Sequence, residues 1–341
     1  MKIADVSKAT VSICPILHGR KKMSIARASA RSIGEPDSLG HAAFSSGGTY
    51  VTYSAIMTAE LESSRGSSGS RDTRLAQLII TIFGLCARAE GNWLSVASVV
   101  ALMADLGADG QAVRSSISRL KRRGVLNSER HAGVAGYSLS GPTLEVLAEG
   151  DVRIYHHTRA TEDDGWVVVV FSVPESERDK RHALRSILTR LGFGTAAPGV
   201  WIAPGTLAEH TRRTLDRRGL STYVDMFTGG HFAFGDLRTK IRSWWDLDEL
   251  TAQYADFLQT YRPVLYRATA EEMTASEGFQ TYVPMLTEWR RLPYRDPGIP
   301  LSLLPPAWFG ETAGALFDEL NGLLNPLANK HALAVIHGKR S

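Results

Sequence analysis

The stretch GQAVRSSISRLKRRGVL, residues 110–126, decides the fold of the N-terminal part of the chain. Val113, Ile117 and Leu120 recur at three- and four-residue spacing, which predicts a helix over residues 111–123. Asp109 is the expected N-cap of this helix. The helix has no acidic residue, and its polar side chains, on the opposite face or around the sides and end, are Gln111, Arg114, Ser115, Ser118, Arg119, Lys121, Arg122 and Arg123.

Two helices precede this segment and two short strands follow it. Apolar periodicity predicts helices over residues 74–88 and 95–106. Residues 125–130 and 136–140 have the pattern of strands around a turn at Ala132-Gly133. Helix, helix, basic helix and hairpin is the order of elements in a winged helix-turn-helix.

The residue types of the basic helix suit DNA. A helix fits the major groove of B-DNA, where an arginine such as Arg114 can make two hydrogen bonds to one guanine. Small hydroxyl residues such as Ser115 and Ser118 let the backbone approach and can bond bases or phosphates. The alternative is that the cations only solvate a helix end, where they suit the helix dipole. The order of the surrounding elements favours DNA binding, so we expect double-stranded DNA as a partner.

The whole chain has the composition of an ordinary globular protein. It has 341 residues, 43% of them hydrophobic and 22% charged, and a formal net charge of +4, which permits a nucleic-acid partner. No apolar run reaches the roughly 18 residues of a membrane span. Cys14 and Cys86 differ too much in context to make a disulfide framework or a metal site. We therefore expect a cytoplasmic protein with no membrane partner.

The predicted fold class is α+β. We expect a mostly disordered extension over residues 1–70 and a winged helix-turn-helix over 71–150. We then expect a central ferredoxin-like (split βαβ) domain over 151–235. A helical C-terminal domain over 236–330 and a tail over 331–341 complete the predicted order. The central domain has predicted strands over 166–173, 200–202 and 223–227 and predicted helices over 177–191 and 207–218. The C-terminal helices are expected over 246–260, 273–291 and 312–327. An alternative start at Met57 stays open.

Several segments in order resemble the PaaX family of bacterial regulators. Besides residues 110–126, they are GYSLSGPTLEVLAEGDVRIY over 136–155, VVVVFSVPESERDKRHALRSILTRLGFGTAAPGVWIAPG over 167–205, and the C-terminal stretches WDLDELTAQYADFLQTYRPVL and RRLPYRDPGIPLSLLPPAWFG. The resemblance implies a dimeric repressor of an aromatic-acid (phenylacetate-type) catabolic operon, acting on partly palindromic operators and released by an aryl-acyl-CoA such as phenylacetyl-CoA. It also implies DNA contacts from Arg130, His131 and Tyr137 in the predicted hairpin, which is called the wing in this family. The tip of the wing here, HAGVA over residues 131–135, lacks the arginine-rich stretch of many relatives.

An acyl-CoA effector would need cations for its phosphates and an apolar pocket for its acyl group. Candidates for an effector pocket between the middle and C-terminal parts are Arg290, Arg291, Arg295, Trp201, Trp244, Trp245 and Trp308. The alternative for each is a structural role, as an ion pair or as core. We expect no bound cofactor.

The central domain also resembles small ferredoxin-like nucleases that hold a metal through an aspartate at the end of the first strand. The matching position here is Ser172, and a neutral hydroxyl is a poor ligand for a hard cation. The histidines lack metal-site spacing, and no nucleotide-binding or nucleophile motif is evident. We expect no metal and no catalytic residue. Two rivals stay open, a metal-dependent nuclease and a winged helix that binds protein.

Overall fold

The computed structural model describes residues 67–155, 158–231, 234–270 and 273–338. The expected disorder of residues 1–66 and the alternative start at Met57 lie outside these residues. Residues 67–70 were assigned to the disordered extension, but they form the first turn of a helix, α1 (Ser67–Ile82). The apolar periodicity of this helix begins only at Leu75, which is why its start could not be located from the pattern.

The predicted order of N-terminal elements is present. A π-helical turn (Phe83–Ala87) continues α1, and α2 (Val96–Asp105) and α3 (Gly110–Arg122) follow. The predicted caps are confirmed, because the side chain of Ser95 accepts from the Ser98 amide and that of Asp109 accepts from the Ala112 amide. The hairpin strands are β2 (Leu126–His131) and β3 (Val134–Leu139).

The hairpin has a third strand that the sequence analysis missed, β1 (Trp93–Ser95). It pairs antiparallel with β3, so the sheet order is β1-β3-β2. Three residues are too few to show strand alternation in a sequence. The connecting helix, α4 (Gly141–Tyr155), then leads out of this part of the chain.

The central region alternates strands and helices. Its elements are, in order, β4 (Trp166–Phe171), α5 (Arg178–Arg190), β5 (Gly194–Ala197), β6 (Val200–Pro204), α6 (Ala208–Arg217) and β7 (Val224–Gly229). The sheet is antiparallel with the order β5-β6-β4-β7. Sequence analysis predicted every element except β5, which is short and has a register shift at Thr195 and Ala197. The mixture of helices and antiparallel sheets confirms the α+β class.

The two faces of this sheet cover different cores. Val167, Val169 and Trp201 pack with residues of α5 and α6. Trp166 and Ile202, which alternate with them along the strands, pack with Trp245 and Ile299 on the other face. Successive strand residues point to opposite faces, so each strand contributes to both cores.

The rest of the chain is chiefly helical, as predicted, and it also has two short helices, over Leu237–Trp244 and Leu292–Arg295, that the apolar pattern does not predict. Its helices are α7 (Leu237–Trp244), α8 (Leu247–Ala270), α9 (Ala275–Trp289), the short α10 (Leu292–Arg295) and α11 (Gly310–Ile336). The last helix continues well past the predicted end at residue 327 and through most of the expected tail. Ala328, Ala332 and Val335 are buried and keep its apolar face in contact with the core.

The N-terminal and C-terminal helices share one hydrophobic core. It joins residues of α1, α2 and α3, such as Ile79, Leu102 and Ile117, to residues of α9 and α11, such as Phe279 and Phe317. Helix α1 packs against α3 and also against α9, and α2 packs against α11. The helices of these two parts therefore pack around one continuous core.

Polar contacts tie the same helices together. The Thr81 hydroxyl lies 2.8 Å from that of Thr287, and both are buried. The imidazole of His331 on α11 lies 2.9 Å from the carboxylate of Asp105 on α2. These contacts fix the relative positions of α1, α2, α9 and α11, because buried polar groups lose free energy when they lack partners.

Two partly buried arginines join the central region to the helical unit. Arg153 of α4 donates to the carbonyl oxygens of Pro293 at 2.7 Å, Asp296 at 3.2 Å and Arg190 at 3.3 Å. Arg159 makes a two-pronged ion pair with the fully buried carboxylate of Asp296, at 2.7 and 3.1 Å. Asp296 also accepts from the Tyr254 hydroxyl at 3.0 Å. Such geometry offsets the cost of burying the charges.

None of the helices within the described residues is long and apolar enough to cross a membrane.

The shared core predicts that damage to α11 weakens α1. Leu324→Ala, at a fully buried site, should lower the free energy of unfolding by about 2–5 kcal/mol and speed hydrogen exchange of α1 amides. The matched control is Leu323→Ala on the same helix, where the side chain is 38% exposed and the cost should stay within about 0.5 kcal/mol. Unchanged exchange in α1 of a destabilised Leu324→Ala variant would mean that the two parts unfold independently.

Candidate nucleic-acid interface

Helix α3 is fixed by one buried face and presents the other to solvent. Val113, Ile117 and Leu120 are buried in the shared core, as their spacing predicted. The helix begins at the Asp109 cap and ends before Gly124, whose φ of 71° closes the turn into the hairpin. The orientation of α3 therefore follows from packing against α1 and α2 and not from a mobile loop.

The outward side of α3 carries a continuous polar surface, here called the α3 face. It is a shallow groove lined by Gln111, Arg114, Ser115, Ser118, Arg119 and Arg122. All but Arg119 are exposed. The structure thus brings together six of the eight residues that the sequence analysis selected on this helix. Lys121 and Arg123 are also exposed and lie beside the groove at the end of α3.

The arginines of the α3 face differ in their partners. Arg119 pairs with Asp72 of α1 at 3.1 Å and is 33% exposed, so α1 holds this side chain. Arg114 donates to the carbonyl of Gly110 in its own helix at 3.3 Å, a weak contact that leaves the guanidinium at the surface. Arg114 is the better placed of the two for an outside ligand.

The hairpin beside α3 has a tight turn at its tip and a close contact with β1. Ala132 and Gly133 both have positive φ, 49° and 82°, which is typical of the two-residue turn that matches strand twist. Arg130 is exposed and donates to the Gly133 carbonyl at 3.1 Å. Within β3, a Cβ on Gly136 would overlap the Trp93 ring and the Leu94 carbonyl oxygen, so only glycine fits there.

Two of the wing residues expected to contact DNA have other surroundings. Tyr137 is half-buried and packs against the shared core, since it lies in the central strand β3. His131 stacks on Trp93 with ring centroids 4.5 Å apart, and its Nε2 lies 3.3 Å from the Glu129 carboxylate. Arg130 is therefore the wing residue that is best exposed for a phosphate.

The predicted effector residues do not meet in one pocket. Trp201 lies on the sheet face that packs against α5 and α6, with the Arg185 guanidinium 5.9 Å from the centre of its ring. Trp244 and Trp245 lie against the opposite face, beside Trp166. Strand alternation puts the sheet between Trp201 and these two tryptophans, so the three side chains do not line one cavity.

The predicted effector arginines are also dispersed. Arg290 is buried and donates to the Gln77 carbonyl of α1 at 3.4 Å, a contact within the shared core. Arg291 follows it as the N-cap of α10. Arg295 pairs with Glu249 at 2.9 Å. Trp308 packs on Tyr254 and on the Arg159 guanidinium.

The polar residues at the junction of the two regions were missed by the sequence analysis. Arg153, Arg159 and Asp296 are far apart in sequence, so no motif marks them. Burial lowers the pKa of nearby Arg190 to about 9, despite the opposing effect of Tyr294. Arg190 is buried near α4 and residues 293–296. The sequence alone does not show that this arginine is buried, so it could not be predicted.

The metal-dependent alternative depends on Ser172 and on nearby metal-binding side chains. Ser172 follows β4, and its amide donates to the Tyr223 carbonyl at 3.1 Å. Among the residues for which the structure gives coordinates to describe, no group of three or more His, Cys, Asp or Glu side chains could hold a metal ion.

Family comparisons match the chain in three consecutive blocks. Residues 74–143 match the PaaX-like protein family, 159–241 the PaaX protein central Cas2-like domain, and 245–334 the PaaX-like protein C-terminal domain. The chain belongs to the PaaX family. The first block of this PaaX-family protein contains the α3 face and the hairpin.

A curated relative and a solved structure are similar over most of the chain. The transcriptional repressor PaaX of Escherichia coli (strain K12) is 28% identical over 259 residues, which cover 74% of this chain and 80% of the relative. An uncharacterized protein of Mycobacterium tuberculosis is 22% identical with a TM-score of 0.47, covering 74% of this chain and 96% of that one.

Proposed function

We propose that this PaaX-family chain is a DNA-binding transcriptional regulator and that the α3 face reads DNA. The observation that carries the proposal is the α3 face itself, a solvent-facing surface of arginine, serine and glutamine on a helix whose other side is locked in the core. The E. coli relative is a transcriptional repressor, which supports the same role for this chain.

The dimensions and charge of α3 suit the major groove. The helix has 13 residues and is thus about 20 Å long, and a groove about 12 Å wide accepts a helix with its side chains. Arg114 and Arg122 lie in the groove of the α3 face, where an arginine can bond two acceptors of one guanine. We assign α1–α3 and the β1-β3-β2 sheet to a winged helix-turn-helix on this basis.

The resemblance of the sequence to its family supports further proposals on the oligomeric state, the operon and the effector. We propose a homodimer that places one α3 in each half-site of a partly palindromic operator. We propose that the operon is one of aromatic-acid (phenylacetate-type) catabolism and that an aryl-acyl-CoA releases the repressor. The β-α-β-β-α-β order with sheet order β5-β6-β4-β7 supports a ferredoxin-like assignment of the central region.

A titration of the protein against its own upstream DNA tests the function. We expect a specific mobility shift that weakens steeply as salt rises, since arginines on α3 would displace counterions. We expect phenylacetyl-CoA to release the complex, with free CoA as the control. DNA binding that phenylacetyl-CoA does not change would contradict the proposed effector but not the proposed DNA-binding function. No specific shift at low salt would contradict DNA binding.

Removal of one guanidinium from the α3 face should weaken specific binding. Arg114→Ala should cost about 1–3 kcal/mol of binding free energy and relax the preference at one base pair, if Arg114 bonds a guanine. The measurement is the Kd for operator and for scrambled DNA. Arg178→Ala is the matched control, because this arginine is 70% exposed on α5, away from the α3 face.

Equal losses for Arg114→Ala and Arg178→Ala would show a general effect of charge and not of the α3 face. An unchanged Kd and unchanged base preference in a folded Arg114→Ala variant would remove Arg114 from the reading surface.

A further inference from the structure

One edge of the central sheet is open in the described part of the chain. Strand β7 pairs with β4 through six consecutive residues, Val224 to Gly229, with no bulge, and no other described strand pairs with its outer side. The strand is exposed from Phe227 to Gly229. A straight, unpaired edge presents a row of backbone donors and acceptors that can pair with another strand.

The opposite edge of the same sheet is protected. Strand β5 has four residues and an irregular register, so it offers few free backbone groups. The turn after α7 also covers it, because a Cβ on Gly194 would lie 2.7 Å from the Trp245 ring and 2.8 Å from the Trp244 carbonyl oxygen. The contrast between the two edges indicates that the β7 edge has a use.

The β7 edge lacks the usual devices against pairing. It contains no lysine, arginine or proline, and its one charged residue is Asp225. Phe227 is 60% exposed, and Phe234, shortly after the strand, is 98% exposed. Exposed aromatic side chains beside an open edge are the features that natural sheets avoid unless a partner covers them.

We propose that β7 pairs antiparallel with β7 of a second copy of this chain, with Phe227 at the two-fold axis. The inference rests on the proposed function, because it names the surface that brings two α3 helices to one operator. The pairing would join two four-stranded sheets into one of eight strands. An isologous contact of this kind closes after two copies.

The sequence of β7 favours this register for self-pairing. A two-fold axis perpendicular to the sheet keeps side chains on their own face, so each residue must lie opposite one of the same parity. With Phe227 opposite its own copy, Asp225 lies opposite Gly229 and Met226 opposite Thr228. This register separates the two Asp225 carboxylates and joins two aromatic rings, an arrangement that stabilises cross-strand pairs.

Charge at the axis tests the interface. Phe227→Lys should convert a particle of twice the 37.2 kDa chain mass into one of the chain mass, measured by light scattering after gel filtration. Tyr266→Lys is the matched control, because Tyr266 is a 70% exposed aromatic residue on α8, and its mass should not change. A Phe227→Lys variant that stays dimeric, or a native chain that is monomeric, overturns the proposal.

A cross-link tests the register and does not depend on how Phe227→Lys folds. In a Cys14→Ser background, Phe227→Cys should form an intermolecular disulfide on mild oxidation, because a residue on the axis faces its own copy. Thr228→Cys should cross-link far less, since Thr228 faces Met226 of the second copy and the two sulfurs lie too far apart. Equal cross-linking of both variants, or of neither, contradicts the register.

DNA binding separates this inference from the proposed function. If the Phe227→Lys variant still binds a single half-site but loses at least tenfold in affinity for the operator with two half-sites, the result supports both the β7 interface and the DNA-binding function. If the native chain binds operator and Phe227→Lys binds it equally well, the regulator stands and the β7 interface is wrong.

Discussion

The burial of α1 between α3 on one side and α9 on the other is the constraint on which the rest of the structure depends. Ile79, Ile80, Ile82 and Phe83 are fully buried, so this helix has almost no side facing solvent over these residues. Because the same core reaches α11, the helix that carries the α3 face is held by residues more than 150 positions away in sequence. Helices α1, α2 and α3 on their own would have a much smaller core.

This arrangement gives the C-terminal helices a part in positioning the α3 face. The position of α3 follows from α1 and α2, which contact α9 and α11 directly. The central region is joined to the same unit through Arg153 and through the Arg159–Asp296 pair. A ligand can change DNA affinity only if it binds one arrangement of these parts better than another.

The sequence predicted local structure well and long-range packing poorly. Ser95 and Asp109 are strong caps, and Val113, Ile117 and Leu120 mark a buried face, so α2, α3 and their ends could be predicted. Amphipathic spacing shows which face of a helix is buried and not which partner buries it. The shared core therefore could not be predicted. Strands β1 and β5 were missed because three or four residues show no clear alternation.

The candidate site could be predicted only in part, for related reasons. The α3 face is contiguous in sequence, so helical periodicity alone collects Gln111, Arg114, Ser115, Ser118 and Arg122. Tyr137 is half-buried because strand β1, which the sequence pattern does not show, makes β3 the central strand. Trp201 and Trp245 were grouped by residue type, and the sheet between them becomes visible only from the strand register.

Hydroxyl-radical footprinting of the full-length protein on its own upstream DNA tests whether two copies of the chain each place α3 in a major groove. We expect two protected segments on one face of the duplex, separated by about one helical turn or a multiple of it. Uniform protection without a preferred position, or a single protected segment at every protein concentration that binds, would contradict it.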